Sequence, residues 1–563
     1  MGRGTSMAAW IAENPKAAKA MVKFVSNRKR GNQDSVSALL NGLRWDFDFP
    51  FSSEPSLARH LKTIGLEDRV VIAPPASQIV VDKGVDDTIA PMSKGRAKRI
   101  KKARRWVITA AQNNTPVDEG FLSALEHYCE DVGAELLVRP IRYKNANSTI
   151  VPDDDAPEGM WWDDRIADYM VDDEIELKDV LIPDVRIAAT SGNPLTGLDS
   201  RSGTKHGVYG ATQLSMKTIA TAHNELPKIL YSTGAVTVAN YSTTKAGNIA
   251  DFHHSLAAVI VEQDSKGRTF MRSVTWSSKH KNFSDIDVTF YADGGVDAER
   301  WEALIPGDEH AAFIDLGVKK ATYMNKDSMV RTGNPKVVVR HDLLDCYAVS
   351  HHHMGNVLQQ RNKEVFGWGN IQTELDQTIA FLDETSVTDA KQLVVSSNHN
   401  DHLSQWLSGG EKGVTSENAL LYHKLMVWMF ESAERTPSGV KMDNPFKMYM
   451  EHTDSEGTSE VEFLGGRAPY IIGDIDVSQH GHRGPNGARG SRANLSKIGV
   501  KTVIGHSHSP GITGGCWQVG TSSRLDLEYA QGPSSWLHCQ CIIHANGKRQ
   551  LLPVIGGDWR ARN

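Results

Sequence analysis

Val500-Lys501-Thr502-Val503-Ile504, followed by Gly505-His506-Ser507-His508-Ser509-Pro510, is the stretch on which the reading of this chain turns. The first five residues predict a strand, and the glycine marks its end. Two histidines at i and i+2 past a strand end can turn toward one point when the backbone is extended or looped. Imidazole is a favoured ligand for Zn, Fe and Mn-type ions. His-x-His alone is a weak signal, so what could complete a site has to come from upstream.

Upstream, the same theme recurs four times from about residue 295: a short apolar run, then a loop of ligand-type residues. Ala303 to Pro306 leads to Gly307-Asp308-Glu309-His310. Lys336 to Arg340 leads to His341-Asp342-Leu343-Leu344-Asp345. Gln392 to Ser396 leads to Ser397-Asn398-His399-Asn400-Asp401, and Tyr470 to Val477 leads to Ser478-Gln479-His480-Gly481-His482. Of 22 histidines, 15 lie after residue 300, which points to this half for chemistry. Trp517 to Gly520, Trp536 to Ile543 and Gln550 to Ile555 alternate at period two and predict closing strands. Gly481, Gly484, Gly487 and Gly490 recur at every third position, and the loop is expected to bring bare backbone close to metal or phosphate.

With 563 residues, 40% hydrophobic and 23% charged, the chain has the composition of a globular protein of several domains. No apolar run reaches the length of a membrane span and no signal-peptide pattern opens the chain, so a cytoplasmic, reducing setting is expected. Five scattered cysteines are too few for a disulfide framework, and Cys539-x-Cys541 fits strand alternation. A net charge of −6 means that any affinity for nucleic acid must come from local basic patches.

Three regions are expected. Residues 1–68 read as a small helical domain in which Ser53 to Lys62 resembles a helix-turn-helix, with Arg59, His60 and Lys62 available to DNA. Residues 69–294 read as an α/β middle domain. It opens with a run of eight basic residues in twelve positions: Lys94, Arg96, Lys98, Arg99, Lys101, Lys102, Arg104 and Arg105. Spread over every side of a helix, these suit contact with a DNA backbone. A strand over 106–112, a helix over 117–132 and a strand over 134–138 make a β-α-β unit, with Gln112, Asn113 and Asn114 at the carboxyl end where such sheets bind ligands. Arg142-Tyr143-Lys144-Asn145 is a second candidate nucleotide contact, and this region could supply a homo-oligomer interface. Neither a phosphate-cradling G-x-x-x-x-G-K-[ST] nor a G-x-G-x-x-G is present, which disfavours ATPase and dinucleotide chemistry. Asp251, His253 and His254 have ligand-type side chains, but they precede an apolar run and are read as structural.

The order Asp-x-His, Asp-x-x-Asp, Asn-His, His-Gly, Gly-His-x-His over residues 295–563 resembles the calcineurin-like metallophosphoesterases. His341 and Ser397 stand where that family has glycine. The resemblance implies a four-layer α/β/β/α sandwich with a site at the strand ends. It implies one metal on Asp308, His310 and His508, a second on Asn398, His480 and His506, and Asp342 bridging them. His399 would steady the phosphoryl group and protonate the leaving oxygen. Asp345 would orient a ligand, His482 is an alternative to His480, and His351-His352-His353 reads either as part of a substrate-facing loop or as structural. Mixed Asp/Asn/His ligation suits Mn²⁺, with Fe or Zn as alternatives, better than Mg²⁺.

The attached N-terminal half favours DNA as substrate, as in the double-strand-break-repair branch of that family. The layout also resembles large phage-encoded members, which would act in the host cytoplasm. A phosphodiesterase or nucleotidase, and a DNA-binding regulator with a phosphoesterase scaffold, are the alternatives.

Overall fold

Four short strands rich in valine and leucine lie parallel in one sheet: Ala303–Ile305, Val337–Arg340, Lys391–Val395 and Val461–Leu464. The antiparallel pair Cys539–Ile543 and Arg549–Pro553 continues this sheet beyond Ala303–Ile305, giving six strands. Both of its faces are covered, which is why its strands are apolar at consecutive positions. Val339, Leu393, Val395, Cys539 and Cys541 point to one core, and Leu304, Val394 and Ile542 to the other. The helices Ile371–Glu384, Asn400–Ser408, Ala419–Glu431 and Pro445–Thr453 close the second core with Leu375, Phe381, Leu403, Leu425 and Phe446.

The first core is closed by a ten-stranded sheet through Ile475, Val503, Ile512, Trp517, Val208 and Tyr231. This sheet joins five strands from Ile471–Ile472 to Cys516–Gln518 with five from Ile175–Leu177 to Lys228–Gly234. The junction is antiparallel, with Gly511 opposite Lys217 and Ile512 opposite Met216. The boundary expected at 294/295 therefore does not divide the fold, because hydrogen bonds of one sheet cross it. Val85 to Ala146 and Met160 to Asn563 form one unit. The sequence gives no hint of this, because sheet pairing across some 300 residues leaves no local signature.

The computed structural model describes Lys16, Val85–Asp86, residues 89–144 and residues 160–562, except 223–224, 351–352, 354, 412–413, 438, 454–460, 466–467 and 528–531. The expected helix-turn-helix (Arg59, His60, Lys62), Asn145 and two residues of the His351–His353 triplet lie outside the described residues.

The β-α-β unit is present. Arg105–Gln112 pairs in parallel with Glu135–Ile141, connected by the helix Glu119–Val132. Asp118 caps that helix by accepting from Phe121 N at 2.9 Å, and Gly133 ends it at φ +65°. Antiparallel Ala257–Gln263 and Thr269–Thr275 complete a four-stranded sheet. Tyr470 to Val477, expected as one strand, is instead a tight antiparallel pair, Ile471–Ile472 with Ile475–Asp476, turned at Gly473 with φ +63°. Among the described residues no helix is long and apolar enough to cross a membrane.

Candidate metal centre

Three parallel strands of the six-stranded sheet deliver their carboxyl-end loops to one point, as open α/β sheets generally do. The loop after Ala303–Ile305 lies against the loop after Val337–Arg340. Glu309 N donates to His341 O (3.0 Å), His310 N to Asp342 O (2.7 Å) and Ala311 N to Leu343 O (3.0 Å). From the other sheet, Gly505 N donates to His480 O at 2.8 Å, and His506 N donates to Asp308 Oδ2 at 2.7 Å. Gly505 is obligatory, since a Cβ there would stand 2.0 Å from Asp308 Oδ1.

The ligand residues are held in unusual backbone. His310, Asp342, His506 and His508 have φ of +43°, +42°, +81° and +57°, in the left-handed region that non-glycine residues avoid. Such conformations cost of order 1–3 kcal/mol each and persist where surrounding structure over-determines them.

Asp308, His310, Asp342 and His508 are all buried, and one ligand atom from each lies within 4.8 Å of the others. Their polar atoms face one another without ordinary partners. His310 Nε2 is 3.1 Å from His508 Nε2, and His508 Nε2 is 3.3 Å from Asp308 Oδ2. Asp308 Oδ1 and Asp342 Oδ1 are buried with no hydrogen bond, and Asp342 Oδ2 has only imidazole beside it, His480 Nε2 at 3.0 Å in poor hydrogen-bond alignment. Buried carboxylate oxygens without partners are costly, and a shared cation resolves that cost. The donor set thus fits a divalent metal.

The second expected ligand set adjoins the first. His480 Nε2 is 3.0 Å from Asp342 Oδ2, and His506 Nδ1 is 3.0 Å from Asn398 Oδ1. The His480 and His506 rings are 5.4 Å apart. His482, the alternative ligand, is 5.4 Å from His480, and both of its ring nitrogens are buried without a hydrogen bond. It makes no direct contact with Asp342 of the kind His480 makes.

Behind the ligands, Asp345 Oδ1 accepts from His310 Nδ1 at 2.7 Å and lies 3.1 Å from His399 Nδ1. A carboxylate on the far nitrogen of a ligating imidazole fixes its tautomer and aims the other nitrogen at the metal. Burial opposes the charge on Asp342, yet His480 and His399 hold its carboxyl well below the usual range. Burial also works against the His399 imidazolium, but Asp342 and Asp345 carry its pKa up to about 10. Burial, then His480, pushes His341 down to about 4, so it is neutral.

Two contributions escaped the sequence reading. His341, to which no role fell, groups with Asp308 and His480, its Nδ1 3.3 Å from His480 Nδ1. Glu309 and Arg340 form a fully buried ion pair at 2.9 Å beneath the ligands. Arg340 also donates to Thr385 O, Thr385 Oγ1 and Gln392 Oε1, and Tyr323 donates to Glu309 Oε1 at 2.6 Å. The signal was present: a glutamate between two ligands, and an arginine closing the run Val337-Val338-Val339.

Other candidates resolve differently. His254 uses both ring nitrogens, on the Tyr241 hydroxyl (2.7 Å) and Thr237 O (2.8 Å), so the Asp251–His254 cluster is structural. Gln112 and Asn113 tie loops together, Gln112 donating to Asn240 O (2.7 Å) and Asn113 to Tyr143 O (3.1 Å). They do not stand ready for a ligand. Arg142 is paired with Asp172 at 2.6 Å. The glycine-rich loop folds on itself, since a Cβ at Gly490 would meet Gly481 O at 2.0 Å, so its bare backbone serves loop closure there.

The basic run forms the helix Lys94–Lys102, but not with charge on every side. Ile100 is buried, and Arg96 donates to Met170 O (2.9 Å) and Tyr169 O (2.7 Å). Arg105 donates to Val132 O at 2.8 Å. Lys94, Lys98, Arg99, Lys101, Lys102 and Arg104 remain exposed.

The chain is similar to Protein A1 of Escherichia phage T5, at 27% identity over 474 residues that span 82% of this chain and 84% of that protein. No protein-family model matches the chain, and no solved structure matches it.

Proposed function

We propose that this chain is a metal-dependent DNA nuclease of the metallophosphoesterase type, hydrolysing phosphodiester bonds at a two-metal centre. The observation that carries the reading is Asp342, a buried carboxylate whose polar neighbours are the candidate ligand imidazoles, His310 and His508 in one group and His480, 3.0 Å from Oδ2, in the other. Asp308, His310 and His508 would hold one cation, and Asn398, His480 and His506 the other, with Asp342 shared. Two divalent cations, Mn²⁺ first, would supply charge for the phosphoryl oxygens and acidify water. The sheet pair with helices on its outer face supports a sandwich of the family's kind.

The remaining chemistry belongs to the chain. His399 lies 3.1 Å from Asp345, partly exposed at the edge of the cluster, and the negative charge of Asp342 and Asp345 favours its protonated form. It donates that proton to the departing oxygen. Bound cations would offset those carboxylates and bring its pKa back toward neutrality, the range a general acid needs. The exposed lysines and arginines of Lys94–Lys102, with Arg104, contact the DNA backbone. Similarity to a phage protein fits action on DNA in a host cell.

The test is purified protein with Mn²⁺ on single-stranded, linear duplex and closed circular DNA side by side. Cleavage that EDTA stops is expected. Turnover of para-nitrophenyl phosphoesters with all three DNAs intact would replace this reading with a small-substrate phosphodiesterase.

A further inference from the structure

Next to the metal-bearing loops lies a cavity of about 290 Å³ walled by Phe313, Tyr347, Phe366, Trp368, Arg524 and Asp526. Its walls grow from the loops that carry the ligands. Phe313 N donates to His310 O at 2.7 Å, and Tyr347 follows Asp345 by two positions. Arg524 N donates to Phe313 O at 2.9 Å, and three residues earlier the Thr521 hydroxyl donates to Asp308 O at 3.0 Å. Trp536, which packs on the Phe313–Tyr347 cluster, has its ring 4.2 Å from that of His508.

Four of the lining residues are aromatic, Phe313, Tyr347, Phe366 and Trp368. Phe313, Tyr347 and Trp368 meet edge to face, with centroids 5.3 to 5.9 Å apart and planes at 75° to 89°. Lys363 Nζ lies 5.0 Å over the Tyr347 ring, and Phe313 and Tyr347 are buried, so the exposed aromatic surface of the cavity belongs to the next pair. Phe366 lies parallel to Trp368 at 4.6 Å, although the two side chains are 61% and 37% exposed. An aromatic pair held in water beside a cavity marks a surface built for contact.

The charges narrow the guest further. Arg524 sits 5.8 Å from the Phe313 ring centroid, and Asp526 shares the rim. A phosphate would be repelled by Asp526, and a purely apolar guest would use neither charge. A nucleobase meets both, because its π-face stacks on aromatic rings while its edge accepts from arginine and donates amino hydrogens to a carboxylate.

We propose that this cavity receives an unstacked base of the DNA strand bound at the metal centre, an inference that rests on the nuclease reading. Because a base must leave its stack to enter, single strands and frayed ends bind in preference to intact duplex.

The experiment uses full-length Asp342→Ala protein, which binds without cutting, and a single-stranded oligonucleotide carrying one 2-aminopurine. A parallel titration of wild-type protein in EDTA guards against a folding defect of that variant. Binding is expected to quench the fluorescence. Adding Trp368→Ala should remove the quench and weaken binding about tenfold, the scale of one base–aromatic stack, while Trp368→Phe retains most of both. Thermal melting shows whether each variant is folded. Unchanged quench and affinity in folded Trp368→Ala would overturn the proposal, as would equal affinity for an oligomer lacking all its bases. These titrations involve no cleavage, so failure of the nuclease reading, seen as intact DNA with wild-type protein and Mn²⁺, is a separate result.

Discussion

Two groupings of aspartate and histidine among the described residues behave oppositely. At Asp251–His254 the imidazole of His254 spends both nitrogens on a tyrosine hydroxyl and a backbone carbonyl. At Asp308–His310–Asp342–His508 the corresponding atoms face each other, and three carboxylate oxygens have no partner beyond the histidines beside them. Residue type is the same in both. What differs is whether neutral neighbours satisfy the polar atoms, and the difference marks one cluster as packing and the other as a group that could hold a cation.

The sharpest way to break that contrast is a pair of substitutions. Asp342→Ala should lower hydrolysis by about 10³-fold or more, the upper range for losing one preorganised electrostatic group, and should reduce bound metal measured by elemental analysis. His254→Ala should leave metal content intact and cost about 1–3 kcal/mol of stability in denaturant. Metal loss in both, or in neither, would erase the distinction. At the proposed metal centre, His508→Ala should empty the Asp308 position and His506→Ala the Asn398 position, so equal loss of both ions in each variant would count against divided ligation.

The supports behind the ligands should matter next. Asp345→Asn is expected to weaken metal binding about 10- to 100-fold in competition with a chelator. Arg340→Met strands the Glu309 charge and should destabilise the fold by about 3–5 kcal/mol in denaturant titration.

A pH titration sharpens the electrostatics. In metal-free protein the His399 midpoint, taken from the NMR difference against His399→Gln, should lie well above the ordinary 6.5, toward about 10. Its folded pKa is raised, so its stabilisation is complete below pH about 6.5 and fades as pH rises through the folded value. Asp342 and Asp345 act in the other direction. Their depressed pKa values stabilise above the unfolded carboxylate range near pH 4, and that stabilisation is lost as pH falls further. A His399 midpoint at or below 6.5 would show that the carboxylates do not act on it.

The smallest effect belongs to the basic helix. Neutralising Lys98, Arg99, Lys101 and Lys102 should flatten the salt dependence of DNA binding, by about 0.9 in log–log slope for each phosphate no longer neutralised. Arg96→Ala should leave the slope alone and cost stability, because that guanidinium is spent on Met170 and Tyr169 carbonyls.

The ligand loops were legible because each is local: a few apolar residues, a strand end, then polar side chains in sequence. The partners of those loops were not. Nothing near Val500 announces that the next strands, Gly511–Thr513 and Cys516–Gln518, lead the sheet on to Ala211–Ile219. Gly473 alone breaks what reads as one strand, and only its φ of +63° shows how. His341 looked like a departure without consequence until folding set it 3.3 Å from His480. Arg96 and Lys98 are indistinguishable as charges, and burial against another loop separates them.

The junction of Ala211–Ile219 with Gly511–Thr513 has a consequence in time. Lys217 leaves the ribosome 294 residues before its partner Gly511. At roughly 5–20 residues per second, that is about 15–60 s. Throughout that interval the early strand lacks its neighbour on that edge, and the sheet closes there only once Gly511–Thr513 has been made. The His506–His508 loop sits just before Gly511, so assembly of the candidate metal-binding loops and sealing of that edge fall in the same interval of translation.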